Sequence, residues 1–426
     1  MLVKCLNCLA LRYLEAAMES RKKMDLLALA SVPLIMTLGN SMLIPVLPVI
    51  EKQLKISSMQ VSMIITVYSI FAIFLIPIAG YLSDRFGRKK VIIPSLILAG
   101  IGGAITGWAS WQMSSPFWII LIGRAIQGIG SAGAMPVVIP CVGDMFEDEQ
   151  EVTKGLGLIE TANTFGKVLS PILGAFLASF IWFLPFWFIP ILCLLSILLV
   201  LFLVKTPKSG SSDTKKQDIK DFIKNVKSTL HKNIRWLLAI FILGAIIMLV
   251  LFGMLFYLST ILEERYDIIN TKKGFVMAIP LLALSIASYV AGKKIGKNKV
   301  VMKWCSFFGF LLLACSFPIL FFNTSIVMII ITLVIGGIGI GVALPSLDAL
   351  ITEGIEKEER GTITSIYSSM RFVGVAAGPP LYTLLMKWSD MAVFQTSLFV
   401  SAIGAIIVLK AIKPTDEAMK VKKAEV

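Results

Sequence analysis

Long apolar runs separated by short polar loops fill this 426-residue chain. Each run reaches roughly 20 residues, the length an α-helix needs to cross the ~30 Å hydrocarbon core of a bilayer. The apolar positions are continuous rather than alternating. They therefore predict helices, whose backbone groups are satisfied internally, and not a β-barrel. Twelve spans follow: 25–50, 59–82, 91–111, 117–143, 155–180 and 182–204, then 236–261, 274–292, 304–322, 326–350, 362–386 and 391–412. The predicted organisation is a tail at 1–24, a six-helix bundle at 25–204, a polar linker at 205–235, a second six-helix bundle at 236–412 and a tail at 413–426. Within the linker, Ile219, Phe222, Ile223, Val226 and Leu230 recur on one helical face. That pattern predicts a basic amphipathic helix on the membrane surface, with a disordered linker as the alternative.

Composition agrees. Hydrophobic residues make up 57% of the chain and charged residues 15%, against roughly 25% charged in a soluble domain. The formal net charge of +14 invites a nucleic-acid reading, but the placement of the charges excludes it. Of 40 Lys and Arg residues, 31 fall in the tails and in loops on one side and 6 in loops on the other, while Arg124, Lys167 and Arg371 lie inside spans. The positive-inside rule then puts both termini in the cytoplasm. Cys5 and Cys8 have CxxC spacing without a second pair, so no metal site is expected. His231 sits in the polar linker and reads as solvated. No Gly-x4-Gly-Lys-Ser/Thr loop occurs, so neither ATP hydrolysis nor an enzyme is expected.

The two halves are related. Gly128-Ile129-Gly130 with Ala134 and Pro136 returns 209 residues later as Gly337-Ile338-Gly339 with Ala343 and Pro345. Gly166-x3-Ser170-Pro171 returns 208 residues later as Gly374-x3-Gly378-Pro379. Two parallel copies of a six-helix unit can rock about a central site, the geometry of alternating access.

Three stretches carry more than packing. The first is Gly80-Tyr-Leu-Ser-Asp84-Arg85-Phe-Gly87-Arg88-Lys89-Lys90, a charged turn between spans 2 and 3. The second is Gly123-Arg124-Ala-Ile-Gln127-Gly128-Ile-Gly130 in span 4. The third is Gly157-x8-Gly166-x3-Ser170-Pro171-x2-Gly174-Ala175 in span 5. Together they resemble the motifs of the major facilitator superfamily, and the third resembles the motif of its twelve-helix drug:proton antiporter branch. Ser170 and Ala175 stand where that motif has glycines, and both are small. The resemblance implies an all-α fold of two pseudo-symmetric six-helix bundles. It also implies a conformational latch, in which Asp84 meets the start of helix 11 near Gly361 and Arg88 meets Asp144, and a proton-linked role for Arg124.

The charges within the spans suggest the chemistry. Glu160 and Lys167 lie seven residues apart, on one helix face about 10 Å from each other. Glu160 and Asp348 are the candidate proton carriers, with Arg124 expected to tune them. Where cation pumps of the family carry an acid in helix 1, this chain has Asn40. Asn40, Lys167 and Arg371 are therefore assigned to the cavity, and the substrate is expected to be an anionic or neutral amphipath, such as a catecholate siderophore or an acidic antibiotic. The reading is a monomeric proton-coupled exporter in the inner membrane, bound to lipid and not to nucleic acid. It needs no cofactor beyond the proton gradient. The alternatives are a facilitator or symporter importing a nutrient, and a non-transporting receptor or scaffold.

Overall fold

The computed structural model describes the backbone of residues 2–413 except 147–148, 205–218, 297 and 356, and side chains from Lys22 onward except at 147–150, 153–154, 205–232, 297 and 356–360. Cys5, Cys8, His231, the amphipathic positions of the linker and the tail beyond 413 therefore lie outside the described side chains.

Among the described residues, twelve long helices make two bundles of six. The first bundle holds α1 (Lys22–Leu54), α2 (Ser58–Phe86), α3 (Arg88–Gln112), α4 (Phe117–Met145), α5 (Glu149–Phe180) and α6 (Leu184–Phe202). The second holds α7 (Ile219–Glu264), α8 (Asn270–Ile295), α9 (Lys299–Phe321), α10 (Ile326–Gly354), α11 (Lys357–Trp388) and α12 (Asp390–Ala411). The predicted amphipathic stretch is not a separate helix: α7 runs unbroken for 46 residues from Ile219 through its span. Among the described residues, ten helices are long and apolar enough to cross a membrane. The two that fall short, α5 and α11, carry Glu160, Lys167 and Arg371.

Local sequence sets the breaks. Ser57 starts α2 through a reciprocal capping box with Gln60. Gly87 ends it at φ 99°, a backbone conformation that side chains resist. In α1, Pro45 and Pro48 have no amide proton, and the chain tightens to a 3-10 turn at Ile44–Val46 before the helix resumes.

The repeated glycines have one structural meaning in both halves. A methyl on Gly128 would collide with Tyr68 of α2, and one on Gly337 with Pro280 of α8. A methyl on Gly130 would strike Ser95 and Ala99 of α3, and one on Gly339 would strike Gly309 of α9. Small residues are thus what let α4 and α10 sit against two neighbours at backbone contact. The halves meet where α2 packs on α11 and α5 packs on α8. Exposed Trp111, Trp118, Phe322 and Trp388 ring the face opposite the basic loops, as interfacial aromatics do.

Candidate functional site

The charged turn is more helical than the sequence suggests. Only Gly87 separates α2 from α3. Arg88 pairs with Asp84 and donates from Nε to Asp144 Oδ2 at 2.9 Å and from Nη1 to Ser83 Oγ at 2.7 Å. Lys89 Nζ donates to the carbonyls of Leu201 and Val204 and so caps the end of α6. Arg85 is exposed and lies over the Phe86 ring. The expected contact of Asp84 with the start of α11 falls on residues 357–360, whose side chains lie outside those described; within the turn, Asp84 pairs with Arg88, one turn on. The α11 helix meets α2 at Gly80, whose missing Cβ would lie 3.1 Å from Ser365 Oγ.

Arg124 is fully buried. An unpaired arginine in hydrocarbon costs about 3 kcal/mol or more, and here the cost is met by neutral acceptors. Nε donates to the Ile64 carbonyl at 2.9 Å and Nη2 to Asn40 Oδ1 at 2.7 Å, while Nη1 reaches Gln127 Oε1 at 2.5 Å and the Gly39 carbonyl at 3.4 Å. The guanidinium stacks 4.5 Å from the Tyr68 ring centre. No carboxylate is among these partners, so Arg124 has no direct contact with Glu160 or Asp348. Asn40 is buried and turned to Arg124, so in this conformation it does not line a cavity.

The remaining intramembrane charges gather between the halves. Glu160 is exposed and is braced by Asn163 Nδ2, 3.2 Å from each carboxylate oxygen, and by Thr164 Oγ1 at 3.3 Å. Thr37 of α1 donates to Asn163 Oδ1 at 2.6 Å and fixes its orientation. Lys167, about two turns further along, lies within electrostatic reach of Glu160, Asp348 and Arg371. It has no hydrogen-bond or ion-pair partner among the described residues. Across the cleft Arg371 Nη1 stands a loose 3.7 Å from Asp348 Oδ1, and the Asp348 side chain is 41% exposed although it lies inside a membrane-crossing helix. Tyr367, buried beside them, stacks on Phe241. Each half thus contributes one acid and one base. Removing Arg124 from the tally leaves this cleft balanced rather than positive.

The span-5 motif packs helices. Gly166 faces Leu34 and Thr37, and Gly174 faces Met42, all of α1. Ser170 is buried and bonds to its own helix at the Gly166 carbonyl. Pro171 and Ile172 receive Gly274 at the start of α8, and Gly157 faces open space.

Sequence reasoning missed a second polar cluster at the face opposite the basic loops. Glu263, near the end of α7, accepts from Lys52 of α1 at 2.8 Å and from Lys273 of α8 at 3.0 Å. Glu263 and Lys273 fall between the predicted spans 236–261 and 274–292, yet both are helical. Their signal was there: an acid and two lysines on a face otherwise poor in charge. Asn163, Thr37 and Tyr367 were missed because neutral polar residues are common in helices. Among the described residues no group of three or more His, Cys, Asp or Glu is arranged to hold a metal.

The sequence pattern of the Major Facilitator Superfamily matches residues 29–379 and 274–425. The chain belongs to this superfamily. It is a multi-pass membrane transporter and not an enzyme. It is 57% identical over 386 residues to the bacillibactin exporter of Bacillus subtilis strain 168, an alignment covering 90% of this chain and 95% of the relative. It is 26% identical to the class B tetracycline resistance protein of Escherichia coli, over 84% of this chain and 87% of that one. The human organic anion transporter MFSD10 shares the fold at TM-score 0.70 and 17% identity, over 91% of this chain and 99% of that chain.

Proposed function

We propose that this protein exports a siderophore, bacillibactin or a close analogue, in exchange for protons. It does so in a bacterial cell membrane, with the basic loops and both termini in the cytoplasm. The observation that carries the reading is the 57% identity, over nine-tenths of the chain, to a bacillibactin exporter. The chemistry of the cleft supports it. A catecholate offers hydroxyl donors and, once ionised, anionic oxygens. Unpartnered Lys167 and loosely held Arg371 meet the anionic oxygens, while the Glu160 carboxylate accepts a neutral hydroxyl. A proton on Glu160 replaces the charged acceptor by a neutral acid that donates at one oxygen and accepts more weakly at the other, so protonation weakens substrate binding, and this coupling is what exchange requires. Asp348 is the second candidate carrier, because protonating it releases Arg371. Arg124 acts from outside the cleft, by tying α1, α2 and α4 together beneath it. Rocking of the halves then presents the cleft to each face in turn.

The test is proton release from acid-loaded everted vesicles on addition of bacillibactin, with a cationic dye alongside. Release by the siderophore, lost in Glu160→Gln with binding weakened but still measurable, supports the scheme. Release that survives Glu160→Gln moves the carrier to Asp348. Uptake of labelled siderophore without any proton movement refutes the coupling.

A further inference from the structure

The two halves share one ion pair among the described residues, Lys52 of α1 with Glu263 of α7, at 2.8 Å. The described hydrogen bonds that cross between the halves number two more. Ser259 Oγ of α7 donates to the Ile44 carbonyl of α1 at 2.9 Å, and Thr66 Oγ1 of α2 donates to the Ala376 carbonyl of α11 at 2.8 Å. All three lie in the half of the molecule away from the basic loops, termed outer here. There, Leu43, Leu47 and Ile50 of α1 and Ile64 and Ile65 of α2 share one apolar core with Met254, Tyr257 and Leu258 of α7. Glu160 and Asp348 are meanwhile open to solvent at the other end.

We propose that Lys52, Glu263 and Lys273 form the lock of the outer gate, and that they are positioning residues for transport. Lys273 is 2% exposed and neutralises Glu263 from within the same half, so the acid stays ionised and fixed. Lys52, with its side chain 58% exposed, closes the lock from the other half. Residue Gly274, next to Lys273, carries the backbone of Pro171, so the span-5 motif bears directly on the lock. Opening the outer face parts α1 from α7 and must break the Lys52–Glu263 contact, whereas Lys273–Glu263 can persist. The proposal rests on rocking halves and does not depend on the substrate or on proton coupling.

Lys52→Ala isolates the cross-half arm and leaves the buried pair intact. Two single-cysteine reporters are placed in a chain whose native cysteines are replaced. Ser259→Cys lies in the closed outer seam, against Ile44 of α1, and is probed by an impermeant thiol reagent from outside. Thr164→Cys lies beside Glu160 in the open cleft and is probed in everted vesicles. Lys52→Ala is expected to raise outer labelling about two- to fivefold, the range for losing a partly exposed pair, and to lower inner labelling. Lys52→Arg should restore both. Unchanged outer labelling would overturn the lock. A rise at both positions would also overturn it, because that is general loosening and not a shift between two states.

Discussion

Replacing Lys167 with Met keeps an unbranched side chain, one heavy atom shorter, and removes the ammonium charge with its three donors. Glu160, Asp348, Lys167 and Arg371 are mutually within electrostatic reach and sum to zero, so the variant cleft carries one net negative charge. Two unit charges 4 Å apart interact by about 4 kcal/mol at an effective permittivity of ~20, and by about 1 kcal/mol in bulk water. The 41% exposure of Asp348 marks a wet cleft, which places the loss nearer the lower figure, at about 1.5–2 kcal/mol or roughly 10- to 30-fold in affinity. The assay is half-saturation of labelled siderophore uptake into everted vesicles, with a neutral O-methylated analogue as control and protein amounts matched. The anionic substrate should weaken by that factor, the neutral analogue by less than about threefold, and Lys167→Arg should stay near the parent, since charge rather than shape is tested. An unchanged half-saturation for the anionic substrate, or equal losses for both compounds, would refute the assignment of Lys167 to substrate charge.

Two further outcomes follow. Arg124→Lys offers three donors from one point and cannot reach Ile64, Asn40 and Gln127 together, at about 1–3 kcal/mol per abandoned buried acceptor; the melting temperature in detergent should fall by about 2–6 °C, and an unshifted melt would contradict the buried network. Asp84→Asn leaves Arg88 its contacts with Asp144 and Ser83 and removes an exposed pair worth about 1 kcal/mol or less; transport should drop while siderophore binding and the melting temperature hold, and a parallel loss of binding would count against a purely conformational role.

The helices were legible because hydrocarbon imposes a length and a composition on every span. The duplication was legible because backbone contact at Gly128, Gly130, Gly337 and Gly339 tolerates no other residue. The partners of the charges were not legible. Arg124 gave no sign that its acceptors would be carbonyls and amides of α1, α2 and α4, because backbone oxygens carry no sequence label. The pairing of Asp84 with Arg88, one turn on, follows from i,i+4 spacing on a helix that the glycine-containing turn did not advertise. Glu263 and Lys273 hid in what read as a loop, since charged residues extend a helix past its apolar run without announcing it.

One pattern joins sequence to motion. An α-helical carbonyl normally takes the amide four residues on. For Ile44 that residue is Pro48, and for Ala376 it is Pro380, neither of which has an amide proton. Both carbonyls are accepted targets of a hydroxyl from the opposite half, Ser259 for one and Thr66 for the other. A cross-half bond to such an oxygen competes with no helical bond, so making or breaking it leaves both helices wound. Ile44 even keeps a fallback, the amide of Leu47 in the 3-10 turn. An interface that must open and close in each cycle is thereby given polar contacts that are specific when made and cheap to release. The prolines that interrupt α1 and α11 would then serve the seam between the halves as much as the bend of their own helices.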